Sequence, residues 1–190
     1  LSMKLTAPLA AASAAIVKVG MDFEDSLNQS IAIMGDVSDA MRNKMAKTAQ
    51  DVAGQLNVSN QEAAESYFYL ASAGLDAEQS VASLGQVAEF ATAGQFDMKT
   101  ATDLLTDAQS ALGLTVEDAT ENMENMASVS DILVKANTLA NASVQQFSEA
   151  LTNKAAAGLR NVNKSLEEGA AVLAVFADQG VKGAEAGTQL

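Results

Sequence analysis

Histidine, cysteine and tryptophan are absent from the 190-residue sequence, and proline occurs once, at Pro8. Without cysteine there are no disulfides and no thiolate nucleophile. Without histidine as well, the usual zinc ligands and the commonest general base are missing. The near absence of proline leaves almost nothing to interrupt a helix. Aromatic residues are scarce too, two tyrosines and six phenylalanines. No apolar run reaches the roughly 18 residues of a membrane span. The longest candidate, Ala7 to Val19, is broken by Ser13 and Lys18. A signal peptide is an alternative reading of it, but no clear cleavage pattern follows.

What is present is alanine, punctuated by glycine. Hydrophobic residues make up 48% of the chain, and β-branched alternation is missing, so the composition predicts an all-α protein with thin, closely approaching helices. The chain begins at Leu1 rather than a methionine and is read as a piece of a longer one.

Charge is unevenly spread. Between Thr48 and Asp131 there are 14 acidic residues and one base, Lys99; the rest of the chain carries 10 of each, so the net charge of −13 belongs to the middle. Such a surface repels nucleic acid phosphates. It is either a solvated helix face or a docking surface for a basic partner.

Helical spacing runs through the chain. Thr6-Ala7-Pro8 reads as a helix start, followed by a stripe of Ile16, Phe23, Leu27, Ile31 and Met34. Gly35-Asp36-Val37-Ser38 predicts a break, with Ser38 capping a second helix striped by Val37, Met41, Met45, Ala49, Val52 and Leu56. The alternative is one continuous rod of about 70 Å. Ser59 with Glu62 has capping-box spacing, and Ala63, Tyr67, Leu70 and Ala71 form the next stripe up to Gly74. Asp76 caps a helix striped by Ala77, Val81, Leu84, Ala88 and Ala91 and stopped by Gly94.

The same grammar continues downstream. Asp97 caps Met98, Ala101, Leu105, Ala108 and Leu112 before Gly113, and Thr115 with Asp118 opens a helix to about Leu139. Ser143 with Gln146 starts one that runs to about Gly158, and Ser165 with Glu168 starts another with Leu166, Ala170, Leu173 and Ala177 ahead of Gly180. The expected fold is an array or bundle of glycine-terminated helical hairpins. Residues 1–56 form a long N-terminal helical segment and residues 57–190 the hairpin core region.

Candidate chemistry is thin, and no catalytic, cofactor-binding or metal site is expected. Glu117, Glu121 and Glu124 share a predicted helical face, as do Asp103 and Asp107, but no glycine-rich ligand loop or base accompanies them. Asn57-Val58-Ser59, Asn141-Ala142-Ser143 and Asn163-Lys164-Ser165 match the glycosylation acceptor pattern, yet each precedes a predicted helix where Asn and Ser serve as caps. Met34, Met41, Met45, Met123 and Met126 read as core filling rather than an adaptable groove. Gly183 and Gly187 form a GxxxG pair, a weak mark of close helix approach.

Residues 166–190, LEEGAAVLAVFADQGVKGAEAGTQL, are more specific. They resemble the signature that closes the core region of phage tail tape measure proteins, a helix followed by a phrase like LA-x-x-G-I-K-G-x-x-A-G-T-x-L. Phe176-Ala177, Gly180-Val181-Lys182-Gly183 and Ala186-Gly187-Thr188 occupy that phrase. Glu62-Ala63-Ala64, Leu70-Ala71, Ala73-Gly74, Ala91, Ala93 and Gly94 are similar to the family's central hairpin. Met21-Asp22-Phe23-Glu24 and Ser130-Asp131-Ile132-Leu133 match elsewhere. Two departures are Phe176, where leucine is common, and the approach Gly54-Gln55-Leu56-Asn57-Val58 to the capping serine.

The resemblance implies a structural, non-enzymatic protein of the virion, lying in the lumen of the tail tube. It implies a role in setting tail length during assembly in the host cytoplasm, and release ahead of the DNA at infection. The implied partners are the tail tube protein, tail assembly chaperones and distal tail or baseplate proteins. Further copies of the chain are expected, with contact of the parent chain with the host membrane after ejection; no specific nucleic acid and no cofactor are expected. The competing reading is a helical envelope-associated or signalling bundle, which the glycine punctuation at about 20-residue spacing disfavours. A wall-degrading activity, known in some tape measures, finds no chemistry between Leu1 and Leu190.

Overall fold

α-Helices, most of them with a side-chain cap, account for most of the described residues, and no strand occurs among these. The structure, a computed structural model, describes residues 3–56 and 58–190, with side chains from Val17 onward. The helices are α1 (Met3–Met34), α2 (Asp39–Leu56), α3 (Asn60–Ser72), α4 (Ala77–Gly94), α5 (Met98–Leu112), α6 (Ala119–Leu139), α7 (Val144–Ala150), α8 (Ala156–Asn161), α9 (Leu166–Asp178) and α10 (Gly183–Gln189). A π turn, Leu151–Ala155, joins α7 to α8.

α1 begins at Met3 rather than at Thr6, so Pro8 falls beyond the first turn. The Ile16 side chain and Asn57 lie outside the described residues. α1 and α2 are separate helices: Gly35 takes φ +84° and the Ser38 hydroxyl accepts the Met41 N–H at 3.2 Å.

The capping chemistry is where spacing placed it. Ser59 Oγ accepts the Glu62 N–H at 3.0 Å while Glu62 Oε2 accepts the Ser59 N–H at 2.9 Å. Ser143 with Gln146 and Ser165 with Glu168 make the same reciprocal pair, and so does Asp76 with Gln79. Each pair satisfies two of the N–H groups that a helix start leaves without an intrahelical acceptor. The Asn-x-Ser triplets at 141 and 163 are thus helix entries, as is Ser59 of the first. Asp97 caps α5 through the Thr100 N–H at 2.7 Å, and the Thr100 contacts hold its carboxyl below the usual range.

Three further boundaries differ from the spacing. α6 is capped by Asp118, which takes the Thr120 and Glu121 N–H groups, and not by Thr115. The Val116 N–H is instead accepted by Asn122 Oδ1 at 3.2 Å, which holds residues 115–117 out of the helix. At the end of α4 the left-handed turn falls on Gln95 (φ 59°) rather than Gly94. A Cβ at Gly94 would meet the far end of the Phe96 ring, which folds back to lie 5.2 Å from Phe90, so the ring would have to shift. The helix from Ser143 does not run unbroken to Gly158, because Asn153 and Lys154 leave helical geometry within the π turn.

Packing is organised around α3, α4 and α5, which contact one another. α1 and α2 cover α3, with α2 also on α4; α6 lies against α4 and α5; α7 to α10 pack beyond them. Small residues set the spacing between α1 and α3. Ser26, Ser30, Ala63 and Ala64 are all buried, and the Ser30 hydroxyl donates to the Ala64 carbonyl at 2.9 Å. Tyr67 is fully buried and donates to the Met45 carbonyl of α2 at 3.0 Å; burial pushes its hydroxyl pKa above the ordinary value. One apolar cluster runs from Phe23 through Leu84 and Leu105 to Leu173 and Ala186. Met45 and Met126 are fully buried in it and Met34 and Met41 pack on its edge, so four of the five flagged methionines fill core.

Candidate functional site

Two built regions and one groove stand out. The first is a buried polar knot where α4, α5 and α6 meet. Gln109 on α5 is 1% exposed and donates from Nε2 to the Asn122 side-chain and main-chain oxygens at 2.9 and 3.0 Å. The same amide reaches the Leu114 carbonyl at 3.2 Å, and Asn125 Nδ2 reaches that carbonyl at 3.0 Å. Gln79 completes the knot: besides its capping role it donates to the Val116 carbonyl at 2.7 Å. The knot pairs the Leu114, Val116 and Glu117 carbonyls and the Val116 N–H of the α5–α6 connection, while Asn122 Nδ2 is buried without a partner. It is architecture, and spacing alone did not reveal it because its members are Gln and Asn from three helices.

The second region is the seat of α10 on the π turn. A Cβ at Gly187 would run into the carbonyl oxygens of Ala150 and Asn153, so only glycine lets α10 approach. Asn153 Nδ2 donates to the Ala184 carbonyl at 2.7 Å and to Thr188 Oγ1 at 3.2 Å. Lys154 takes the left-handed conformation, φ 80°. The turn is therefore bound to α10, and the Ala150 and Asn153 carbonyls line the place where Gly187 sits. The GxxxG pair marks a close approach, with Gly187 as its point of contact.

The groove lies between α4, α6 and α9 and encloses about 870 Å³. Ala93, Ala171 and Ala174 give it thin walls, and Ile132 and Leu139 supply larger apolar surface.

The acidic residues are dispersed. Glu117 sits before the α6 cap, off the helix, while Glu121 and Glu124 are on it; all three are exposed. Asp103 pairs with Lys99 at 2.7 Å. Partial burial, with the Asp103 charge second, raises the Asp107 carboxyl. Among the described residues no group of three or more acidic side chains is placed to hold a metal ion, and no helix is long and apolar enough to cross a membrane.

The family model of the phage-related minor tail proteins matches residues 46–190. The chain belongs to that family. The match begins inside α2 and includes the capped hairpins, the polar knot and the α10 seat; α1 lies outside it. Membership gives the chain a structural role in the phage tail, with the tail of the virion as its location and other tail proteins as its neighbours. No curated protein and no solved structure matches the chain.

Proposed function

We propose that this minor tail protein segment is the core region of a tape measure protein. It occupies the lumen of the tail tube, takes part in setting tail length during assembly, and leaves ahead of the DNA at infection. The reading is carried by the closing phrase, Gly180-Val181-Lys182-Gly183 with Ala186-Gly187-Thr188. It matches the tape-measure pattern, and its Gly187 is the residue for which the α10 seat has no alternative.

The physical properties fit that place. The middle of the chain, with 14 acids and one base between Thr48 and Asp131, has no electrostatic hold on DNA that follows it down a shared tube. The segment acts by folding and docking rather than by catalysis. Its partners are the tube protein, the assembly chaperones and the distal tail proteins.

The hairpins refine the role. A fully helical chain advances about 1.5 Å per residue, but α3, α4 and α5 turn back on one another and share a core. The segment is thus a compact module beside the part that measures. Electron microscopy of tails carrying a compact label at the α4–α5 turn tests the location. Label density inside the tube is expected; label outside it, or absent from finished particles, contradicts the reading.

A further inference from the structure

α1 is uncovered near its middle, at residues 17–21. Val17, Lys18, Val19, Gly20 and Met21 are all exposed, and five successive residues cover more than one full helical turn. No face of the helix is covered at that level. Three of the five are large and apolar, with Val17, Val19 and Met21 at 61%, 57% and 61% exposure. From Phe23 onward the same helix is buried against α3. Residues 17–21 are therefore an uncovered arm beside the packed part of the helix.

The α4–α6–α9 groove has the matching character. Its alanine walls let another helix approach closely, since the distance between helix axes follows the size of the side chains at the contact. Leu139, 71% exposed, stands at its edge with apolar surface to cover. Glu89, Asp131 and Glu167 line it against a single cation, Lys135. The arm has the opposite charge: among residues 17–21 Lys18 is the one charged side chain.

We propose that the α1 arm of one copy seats in the α4–α6–α9 groove of a second copy of this chain. The two surfaces differ, so the contact is heterologous. Each chain offers one arm and one groove, and the assembly closes as a ring or grows as a filament. An arm-to-arm coiled coil has no such charge logic, because it sets Lys18 beside Lys18 when the chains run parallel. The interface does not depend on the tail-length reading.

Sedimentation velocity of the whole chain tests it. The wild type is expected to grow in mass with concentration. Lys18→Glu and Glu167→Lys, each at an exposed position, are each expected to weaken association about tenfold, and the two together in one chain to recover most of it. Mixing supplies the sharper arm. A Val17→Asp/Met21→Asp chain keeps its groove, and an Ala171→Arg chain keeps its arm, so each alone is monomeric while a mixture forms one-to-one dimers that grow no further. Circular dichroism checks that every variant is folded. The proposal is overturned if the wild type is monomeric at all concentrations, or if association ignores the groove variant. A monomer that instead binds anionic vesicles through the arm overturns it as well.

Discussion

The central hairpins, α3 to α6, and the C-terminal group, α7 to α10, are built from the same residues to different effect. In the central group each helix is an unbroken cylinder between a side-chain cap and a turn, and local chemistry agrees with tertiary packing. In the C-terminal group one helix is opened into a π turn, and another docks against it at the Ala150 and Asn153 carbonyls. The central group holds 13 of the chain's acids against two bases, Lys99 and Lys135, while the C-terminal group has five acids and four bases. Both regions have burial and side-chain caps; the second adds a close backbone contact at one glycine.

That contrast can be broken from the centre first. Leu84→Ala on α4 removes a fully buried side chain and is expected to cost about 2–5 kcal/mol. Chemical denaturation should show the whole chain losing stability, because the apolar cluster is continuous from α1 to α10.

Gly187→Ala strikes the other region. The added methyl meets two main-chain oxygens, and an overpacked site of this kind costs about 1–3 kcal/mol. Hydrogen exchange should show faster exchange in α10 and residues 151–155, with α3 to α5 unchanged. Uniform loss of protection across the chain would mean that the two regions are not separable.

Ser59→Ala and Ser143→Ala compare the same cap in the two settings. Each is expected to cost about 1 kcal/mol, measured by thermal or urea unfolding. A clearly larger loss at Ser143 would show that the cap also supports the π turn.

The smallest expected effect is in pH. The Asp97 carboxyl is held below its ordinary value of 3.8 by the Thr100 N–H and hydroxyl. A depressed folded-state pKa adds stability that is present above the ordinary value and lost as pH falls through the folded one. Asp97→Asn keeps a good cap without the charge, so its stability should fall less than that of the wild type between pH 5 and 3, as melting curves would show.

Legibility in the sequence followed the range of the cause. Ser59, Ser143 and Ser165 could be placed as caps because the partner of each lies three residues away. The stripes of α2 to α5 could be read because one face meets the core. The turn at Gln95 was not legible, since glycine, the residue that usually takes this conformation, stands one position earlier. The π turn was not legible either, because Val144 to Asn161 has no helix breaker before Gly158 and the distortion goes with α10, some thirty residues on. Thr115 and Asp118 are both cap residues, and Asn122 from within α6 decides between them. The family was readable in the closing phrase, but the reason for its second glycine required the seat. The groove brings together three helices far apart in sequence and left no local mark.

The central claim is that these hairpins form a compact module rather than a length of ruler. In-frame deletion of Asn57 to Gly113 in the phage, followed by electron microscopy of tail lengths, tests it most directly. The account predicts failed assembly, or tails with no proportional shortening. Intact tails shortened by the full helical length of the deletion, about 85 Å, would contradict it.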